Sequence, residues 1–174
     1  MTREQLEHIL RASGAICGAT EIVVVGSQSI VGAIPNASIE LRESMEADVF
    51  TLRDPEDAQL IDGSIGENSP FHSTFGYYAR GVAKETCTLP RGWENRLIRL
   101  VSDGARGVVG LCLDPHDMAI SKLVAGREKD LDFVGTMLRL DLLDVQQLRD
   151  RLDATTLEAN LRALTAQRLT RIAV

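Results

Sequence analysis

An apolar run that stops at a glycine constrains the fold of this chain more than any other stretch. Residues 23–25 are three valines, and Gly26 and Ser27 follow them directly. Such a run predicts a buried strand that enters a tight turn. Apolar side chains at helical spacing in residues 30–34 then predict a short helix, which Ser27 is placed to cap. A glycine-serine turn at the start of a helix can hold phosphate oxygens.

A second extended segment carries two carboxylates. Glu46 and Asp48 are separated by one residue, and apolar residues continue the segment. Because side chains alternate between the two faces of a strand, both carboxylates are predicted to lie on one face. Mg²⁺ is typically held by one or two carboxylates together with substrate phosphates. The turn and the acidic strand together therefore predict a site for a phosphate group and a divalent cation.

These two motifs resemble the nucleotidyltransferase superfamily of the polymerase-β type. The matching residues are Gly26-Ser27 and, further along, Glu46-Ala47-Asp48. The resemblance implies that Gly26 and Ser27 are cofactor-binding residues, which hold a nucleoside triphosphate at the turn. It implies that Glu46 and Asp48 are catalytic residues and bind Mg²⁺. It also implies transfer of a nucleotidyl group to a hydroxyl of an RNA or a protein.

A downstream segment is similar to a motif of the minimal nucleotidyltransferases related to abortive-infection toxins. Lys122-Leu123 and the residues up to Asp130 carry this match. The resemblance implies that Lys122 meets the triphosphate and that Asp130 holds the lysine in place, and it suggests a cognate antitoxin as a partner. From the residues alone, a solvated pair of charges in a turn between helices is the alternative interpretation.

The chain departs from the superfamily pattern in two ways that leave its activity open. Active members usually have Asp-x-Asp, where this chain has Glu46 and Asp48. Their third acid usually stands on a later strand, and the best candidate strand here, residues 75–82, offers Arg80 instead. One hypothesis is an enzyme that transfers a nucleotidyl group. The alternative is a catalytically degenerate fold that binds a nucleotide or a partner protein.

Composition limits the class of protein. With 174 residues and 44% hydrophobic residues, the chain fits one compact domain with its own core. A formal net charge of −6 gives no overall basic footprint for nucleic acid. The three cysteines lack metal-ligand spacing and are expected to be buried apolar residues. Neither a signal peptide nor a membrane-spanning stretch is evident, which predicts a soluble cytoplasmic protein.

The order of the elements predicts an α+β fold, with a mixed sheet and a C-terminal helical bundle. Residues 1–113 are predicted to form the nucleotidyltransferase-like core, and residues 114–174 a helical subdomain packed on it as one compact unit. The predicted strands are residues 21–25, 45–52, 75–79, 85–89 and 108–113. The first helix is predicted to start with a capping box at Thr2 and Gln5 and to stop at Gly14.

Further along, Asp54 and Pro55 are predicted to open a helix, and residues 62–70 to form a loop. In the last third, Asp114 is predicted to cap a helix that ends at Gly126. Thr155 and Glu158 are predicted to form a capping box for the final helix, with Leu157, Leu161 and Leu164 facing inward. Ser29 is expected on a helix surface, and His72 and His116 are expected to be isolated rather than metal ligands.

Overall fold

A computed structural model describes residues 1–173 of the chain. Within this range the fold is α+β with a mixed five-stranded sheet and C-terminal helices, which confirms the predicted fold class. The chain divides into two compact units. Unit 1 comprises Met1–Thr86 and Leu97–Leu113, and unit 2 comprises Cys87–Arg96 and the chain from Asp114 onward. No helix in the described range combines the length and the apolar character needed to cross a bilayer.

Unit 1 is built on the sheet. Its strands are β1 (Glu21–Val25), β2 (Glu46–Phe50), β3 (Tyr78–Gly81), β4 (Ile98–Leu100) and β5 (Val109–Cys112). The strand order is β3-β2-β1-β5-β4. The central strand β1 pairs antiparallel with β2 and parallel with β5, while β2 and β3 are parallel and β4 and β5 antiparallel.

The valine run forms the predicted strand because both of its faces are covered. Residues 22–25 of β1 are almost completely buried. A continuous apolar run is the pattern expected for a strand that is covered on both faces, whereas a half-exposed strand alternates. β1 therefore lies at the centre of the core, and the turn that follows it lies at one end of a fixed strand.

Four α-helices accompany the sheet in the described part of unit 1. They are α1 (Arg3–Cys17), α2 (Ser29–Ala33), α3 (Asp57–Ile65) and α4 (Pro70–Phe75). Short 3₁₀ turns form at Ile39–Leu41, Lys84–Thr86 and Asp103–Ala105. The capping box of Thr2 and Gln5 is confirmed. The predicted stop at Gly14 is wrong, since α1 ends at Gly18, which is left-handed with φ of 61°.

Several predicted boundaries in the middle of unit 1 are also wrong. The predicted strand at 75–79 is shorter and later, and it pairs with β2 rather than with residues 85–89, which include a 3₁₀ turn instead of a strand. The predicted loop at 62–70 contains the end of α3 and the start of α4, where the Ser69 side chain accepts a bond from the His72 N–H. α3 starts at Asp57, two residues beyond the proline that was predicted to open it.

Unit 2 is helical. Its described helices are a 3₁₀ turn (Trp93–Arg96), α5 (Pro115–Ala125), α6 (Glu128–Arg139), α7 (Val145–Asp153) and α8 (Ala159–Ile172). Asp114 caps α5 and Gly126 ends it, as predicted. The capping box at Thr155 is wrong, because α8 follows Glu158 without a side-chain cap and the Thr155 hydroxyl donates to the Arg151 carbonyl. Leu164 is exposed rather than inward, and Leu169 is buried instead.

A buried carboxylate organises unit 2. Asp117 is fully buried and accepts hydrogen bonds from the Arg96 guanidinium at 2.8 and 3.0 Å. Arg151 on α7 lies 3.0 Å from the same carboxylate. His116, expected to be isolated, accepts a bond from the Asp144 N–H at 2.9 Å. These contacts tie the 3₁₀ turn and α7 to α5, and they give His116 a structural role.

The cysteines should differ sharply in reactivity. Burial raises the pKa of Cys112 to about 12 and, together with Asp57, that of Cys17 to about 11. Cys87 is only half-buried. Because thiol reagents attack the thiolate, a native chain is expected to react rapidly at Cys87 alone. Counting labelled thiols by mass spectrometry checks this, and Cys87→Ser should remove the fast phase. Two fast thiols per chain would contradict the burial pattern.

Candidate functional site

The turn after β1 is closed by its own backbone and by Ser29. Gly26 is left-handed, with φ of 66°. Its carbonyl accepts bonds from the Ser29 N–H at 3.3 Å and from the Ser29 hydroxyl at 2.9 Å. Ser29 is therefore buried in the turn, and the prediction that it lies on a helix surface is wrong. The prediction that Ser27 caps α2 is also wrong, because Gln28 holds the N-cap position.

Asp48 lies directly against this turn. The antiparallel register of β1 and β2 places Asp48 opposite Val25, the residue before the glycine. A Cβ atom added to Gly26 would lie 2.5 Å from Asp48 Oδ2. Only glycine leaves room for the carboxylate at this distance. The turn and the acidic strand, predicted from separate parts of the sequence, thus meet at one place.

Glu46 and Asp48 lie on the same face of β2. Ala47 and Val49, the intervening residues, are fully buried on the other face, while both acids are half-buried. This is the alternation predicted from the acid-x-acid pattern. Since Asp48 touches the turn, the face that carries both acids is the face on which a bound phosphate would lie near them.

The neighbouring strand β3 adds Arg80, which was already considered from the sequence, and Tyr78, which was not assigned to the site. The parallel register places Tyr78 beside Glu46 and Arg80 beside Asp48. The Tyr78 hydroxyl donates to Glu46 Oε2 at 2.9 Å. Burial, followed by this bond to the carboxylate, raises the pKa of Tyr78 to about 12. The phenol therefore stays protonated and fixes the orientation of the Glu46 carboxylate.

Arg80 lies beside Asp48 on β3, the strand that was considered from the sequence for a third acid. Its Nη1 atom lies 4.0 Å from Glu46 Oε1, and its side chain is 59% exposed. An ion pair of this length and exposure is weak and leaves the guanidinium able to move. The residue beside Asp48 therefore brings a positive charge, rather than a further carboxylate, to the site.

The His72 ring packs beside the ring of Tyr78. The two rings lie 4.5 Å apart between centroids, and His72 Nδ1 accepts a bond from the Asn68 N–H at 3.1 Å. The expectation that His72 is isolated is therefore wrong, because it contacts both Tyr78 and Asn68. One sequence signal could have indicated this aromatic contact. It is the pair Tyr77-Tyr78 at the start of a strand, in a chain with few aromatic residues.

The donor set fits one Mg²⁺ ion better than two. Across residues 1–173 no group of three or more histidine, cysteine, aspartate or glutamate side chains is placed to share a metal. Two carboxylates on one face, next to a turn that can take phosphate, match the ligands that Mg²⁺ accepts when a phosphorylated substrate supplies the rest. Glu46 and Asp48 would hold such an ion.

Lys122 and Asp130 form a buried pair within unit 2. Lys122 Nζ lies 3.2 Å from Asp130 Oδ1, and Asp130 is only 1% exposed. Arg127 Nε lies 2.6 Å from the other carboxylate oxygen. Lys122 also lies over the Phe133 ring, 4.4 Å from its centroid. The interpretation as solvated charges is therefore wrong for Lys122 and Asp130, whereas Arg127, Glu128 and Lys129 are exposed.

Burial sets the electrostatics of this pair. Burial lowers the pKa of Lys122, against the opposing charge of Asp130. Burial alone would raise the pKa of Asp130, but the hydrogen bonds from Arg127 and the charge of Lys122 outweigh it and lower that pKa. A buried carboxylate with two cationic partners stays ionised and holds the lysine in a fixed position.

The candidate residues thus form two groups. Gly26, Ser27, Glu46 and Asp48 lie in unit 1, and the geometry brings the turn and both acids together there. Lys122 and Asp130 lie in unit 2 and contact one another.

Comparison with known proteins gives one match. A family model with the description "Nucleotidyltransferase of unknown function (DUF6036)" matches residues 4–172. No curated protein and no solved structure matches the chain. The family match covers both groups of candidate residues.

Proposed function

Because the chain belongs to this family of nucleotidyltransferases, we propose that it binds a nucleoside triphosphate together with Mg²⁺ on the face that carries Glu46 and Asp48. The observation that carries the proposal is the contact between the turn and the acidic strand. Asp48 fits against Gly26 only because the residue is glycine. A phosphate at the turn would therefore lie beside a carboxylate, an arrangement that a cation between them stabilises.

The backbone of the turn supports the phosphate part of the proposal. The N–H groups of Ser27 and Gln28 donate no hydrogen bond to any residue in the described range. Unpaired N–H groups in a turn attract anions, because their partial charges add. In the proposed complex these two groups donate to triphosphate oxygens.

The metal part of the proposal uses the acids on β2. Glu46, oriented by Tyr78, and Asp48 hold the Mg²⁺ ion, which neutralises phosphate charge when it is bound. Arg80 is long and exposed enough to add a second positive charge toward the phosphates. An arginine beside the single ion would thus neutralise part of the phosphate charge that a second metal ion neutralises in two-metal sites.

A separate question is whether the protein also transfers a nucleotidyl group to a hydroxyl of an RNA or a protein. We propose that transfer to generic acceptors is slow or absent, because Arg80 is the residue beside Asp48 and no third carboxylate joins the two acids within residues 1–173. Without that acid, the site lacks the additional carboxylate that would take the proton from an attacking hydroxyl. This favours the degenerate, nucleotide-binding alternative over the transferase.

The pair in unit 2 keeps its implied role as part of the proposal. Lys122 would offer a compact positive charge to a phosphate group, and Asp130, which contacts it at 3.2 Å, would orient it. A cognate antitoxin remains a prediction.

Calorimetric titration with each nucleoside triphosphate, with and without Mg²⁺, tests the proposal. We expect Mg²⁺ to strengthen binding in the parent protein and Asp48→Ala to abolish that dependence. Loss of an outer-shell partner already costs roughly 10–100-fold in metal affinity, so loss of a direct ligand should cost at least as much.

Asp62→Ala is the matched control. It removes the same charge from an exposed position on α3 and should leave the Mg²⁺ dependence unchanged. Full metal dependence in Asp48→Ala would show that the ion binds elsewhere, and no binding of any nucleotide by the parent would overturn the proposed function.

A further inference from the structure

The Gln28 side chain is buried next to the Gly26-Ser27 turn without a hydrogen-bond partner. The residue is 1% exposed, and neither Nε2 nor Oε1 finds a partner within residues 1–173. Buried polar groups are nearly always paired, because an unpaired one has lost its water without compensation. An amide with both ends unpaired therefore points to a group that the folded chain does not itself supply.

Helix capping does not explain this residue. Gln28 holds the N-cap position of α2, but its side chain makes no capping bond. The turn closes without it, because the Ser29 N–H and hydroxyl both donate to the Gly26 carbonyl. The residues that cap helices well are Asn, Asp, Ser and Thr, whose side chains are shorter. The amide is thus unused by the local structure.

The chemistry of the amide restricts what it can bind. A phosphate oxygen only accepts hydrogen bonds, so it would pair with Nε2 and leave Oε1 unpaired. A sugar hydroxyl, or the edge of a nucleobase, both donates and accepts and can pair with both ends. The ligand group that fits Gln28 is therefore neutral and both donates and accepts hydrogen bonds.

Resting on the proposed function, we infer that Gln28 reads the nucleoside part of the bound nucleotide and determines nucleoside specificity. It follows the phosphate-binding turn directly along the chain, so a nucleotide held by its phosphates at Ser27 brings its nucleoside within reach of the next side chain. Since Gln28 is buried in this structure, the inference requires the amide to turn toward the ligand on binding.

Nuclear magnetic resonance tests the contact directly. In ¹⁵N-labelled protein, the side-chain NH₂ signal of Gln28 is identified by its loss in Gln28→Met. We expect this signal to shift on titration with Mg²⁺ and a ribonucleoside triphosphate, and to stay in place with Mg²⁺ and inorganic triphosphate. A signal that moves equally with both, or with neither, overturns the inference.

Calorimetry with Gln28→Met tests the energetics. Methionine keeps the shape and removes both polar ends. We expect nucleoside triphosphate affinity to fall about tenfold and affinity for inorganic triphosphate to stay unchanged. The melting temperature without ligand should rise by about 2–4 °C, because an unpaired buried amide is gone. Gln59→Met, the same change at an exposed position on α3, should alter none of these.

Substrate analogues show whether the group that pairs with Gln28 is a sugar hydroxyl or a base edge. If the amide pairs with a sugar hydroxyl, a 2′- or 3′-deoxy analogue binds the parent more weakly, and Gln28→Met removes that difference. If it pairs with a base edge, the four bases differ in the parent and converge in the variant. Equal preferences in parent and variant, or a lower melting temperature of Gln28→Met, would show that the amide serves the fold.

The same data separate this inference from the proposed function. A parent that binds no nucleotide overturns both. A parent that binds nucleotide with Mg²⁺, together with a Gln28→Met variant that keeps its full affinity, overturns only the role of Gln28.

Discussion

Gly26→Ala is expected to weaken Mg²⁺-dependent nucleotide binding strongly while leaving a folded protein. The added Cβ would lie 2.5 Å from Asp48 Oδ2, so the carboxylate must leave its position. Alanine must also adopt a left-handed conformation at φ of 66°, which costs about 1–2 kcal/mol. At about 2–4 °C per kcal/mol for a chain of this size, the melting temperature should fall by roughly 2–8 °C. Nucleotide affinity with Mg²⁺ should fall by at least about tenfold, as measured by calorimetry.

Gly18→Ala separates these two effects. Gly18 is also left-handed, at φ of 61°, but a Cβ there would meet nothing within 4 Å. The control therefore carries the same backbone strain without displacing a carboxylate. We expect a similar loss of stability and unchanged binding. If Gly26→Ala bound nucleotide as well as Gly18→Ala does, the contact between the turn and Asp48 would have no role in binding.

The sequence predicted the site best where one local rule decides the structure. The apolar run of β1 ends at a glycine, and the structure places both where the pattern predicted them. The alternation of Glu46, Ala47 and Asp48 follows from strand geometry alone. Asp114 and Gly126 bound α5 because capping chemistry is local.

Predictions failed where contacts distant in sequence decide the structure. Gly14 looked like a helix stop, but it lies within α1, where a Cβ would collide with Val108, so the glycine allows close packing. Residues 85–89 looked like a partner for the strand before them, but β2 takes that place. The sequence also gave no reason to connect Tyr78 with Glu46, because that bond depends on the parallel register of β2 and β3.

The burial of the Lys122–Asp130 pair could not be predicted from the sequence either. Charged residues between helices are usually solvated, and nothing local distinguishes this turn. The structure buries Asp130 because Lys122 and Arg127 both reach it, and the Phe133 ring covers the lysine.

The last prediction concerns turnover. Arg80→Asp is expected to create or strongly increase nucleotidyl transfer, because it places a third carboxylate beside Asp48 on the adjacent parallel strand. An aspartate there could take the proton from an attacking hydroxyl, and a positioned general base contributes about 10²–10⁴-fold. It also removes a positive charge that repels a further cation from the site. The measurement is incorporation of α-labelled nucleotide into RNA or protein, in parent and variant under the same Mg²⁺ concentration.

Arg99→Asp is the matched control for this charge reversal. Arg99 lies on β4, the other edge strand of the sheet, its side chain is 57% exposed, and it too pairs with a glutamate, Glu21. We expect no transfer from this variant. Strong transfer by the parent would overturn the proposal that the chain is degenerate. Gain in Arg80→Asp alone would show that the missing acid belongs beside Asp48, whereas a variant that binds nucleotide but gains nothing would show that a third acid at this position does not complete the site.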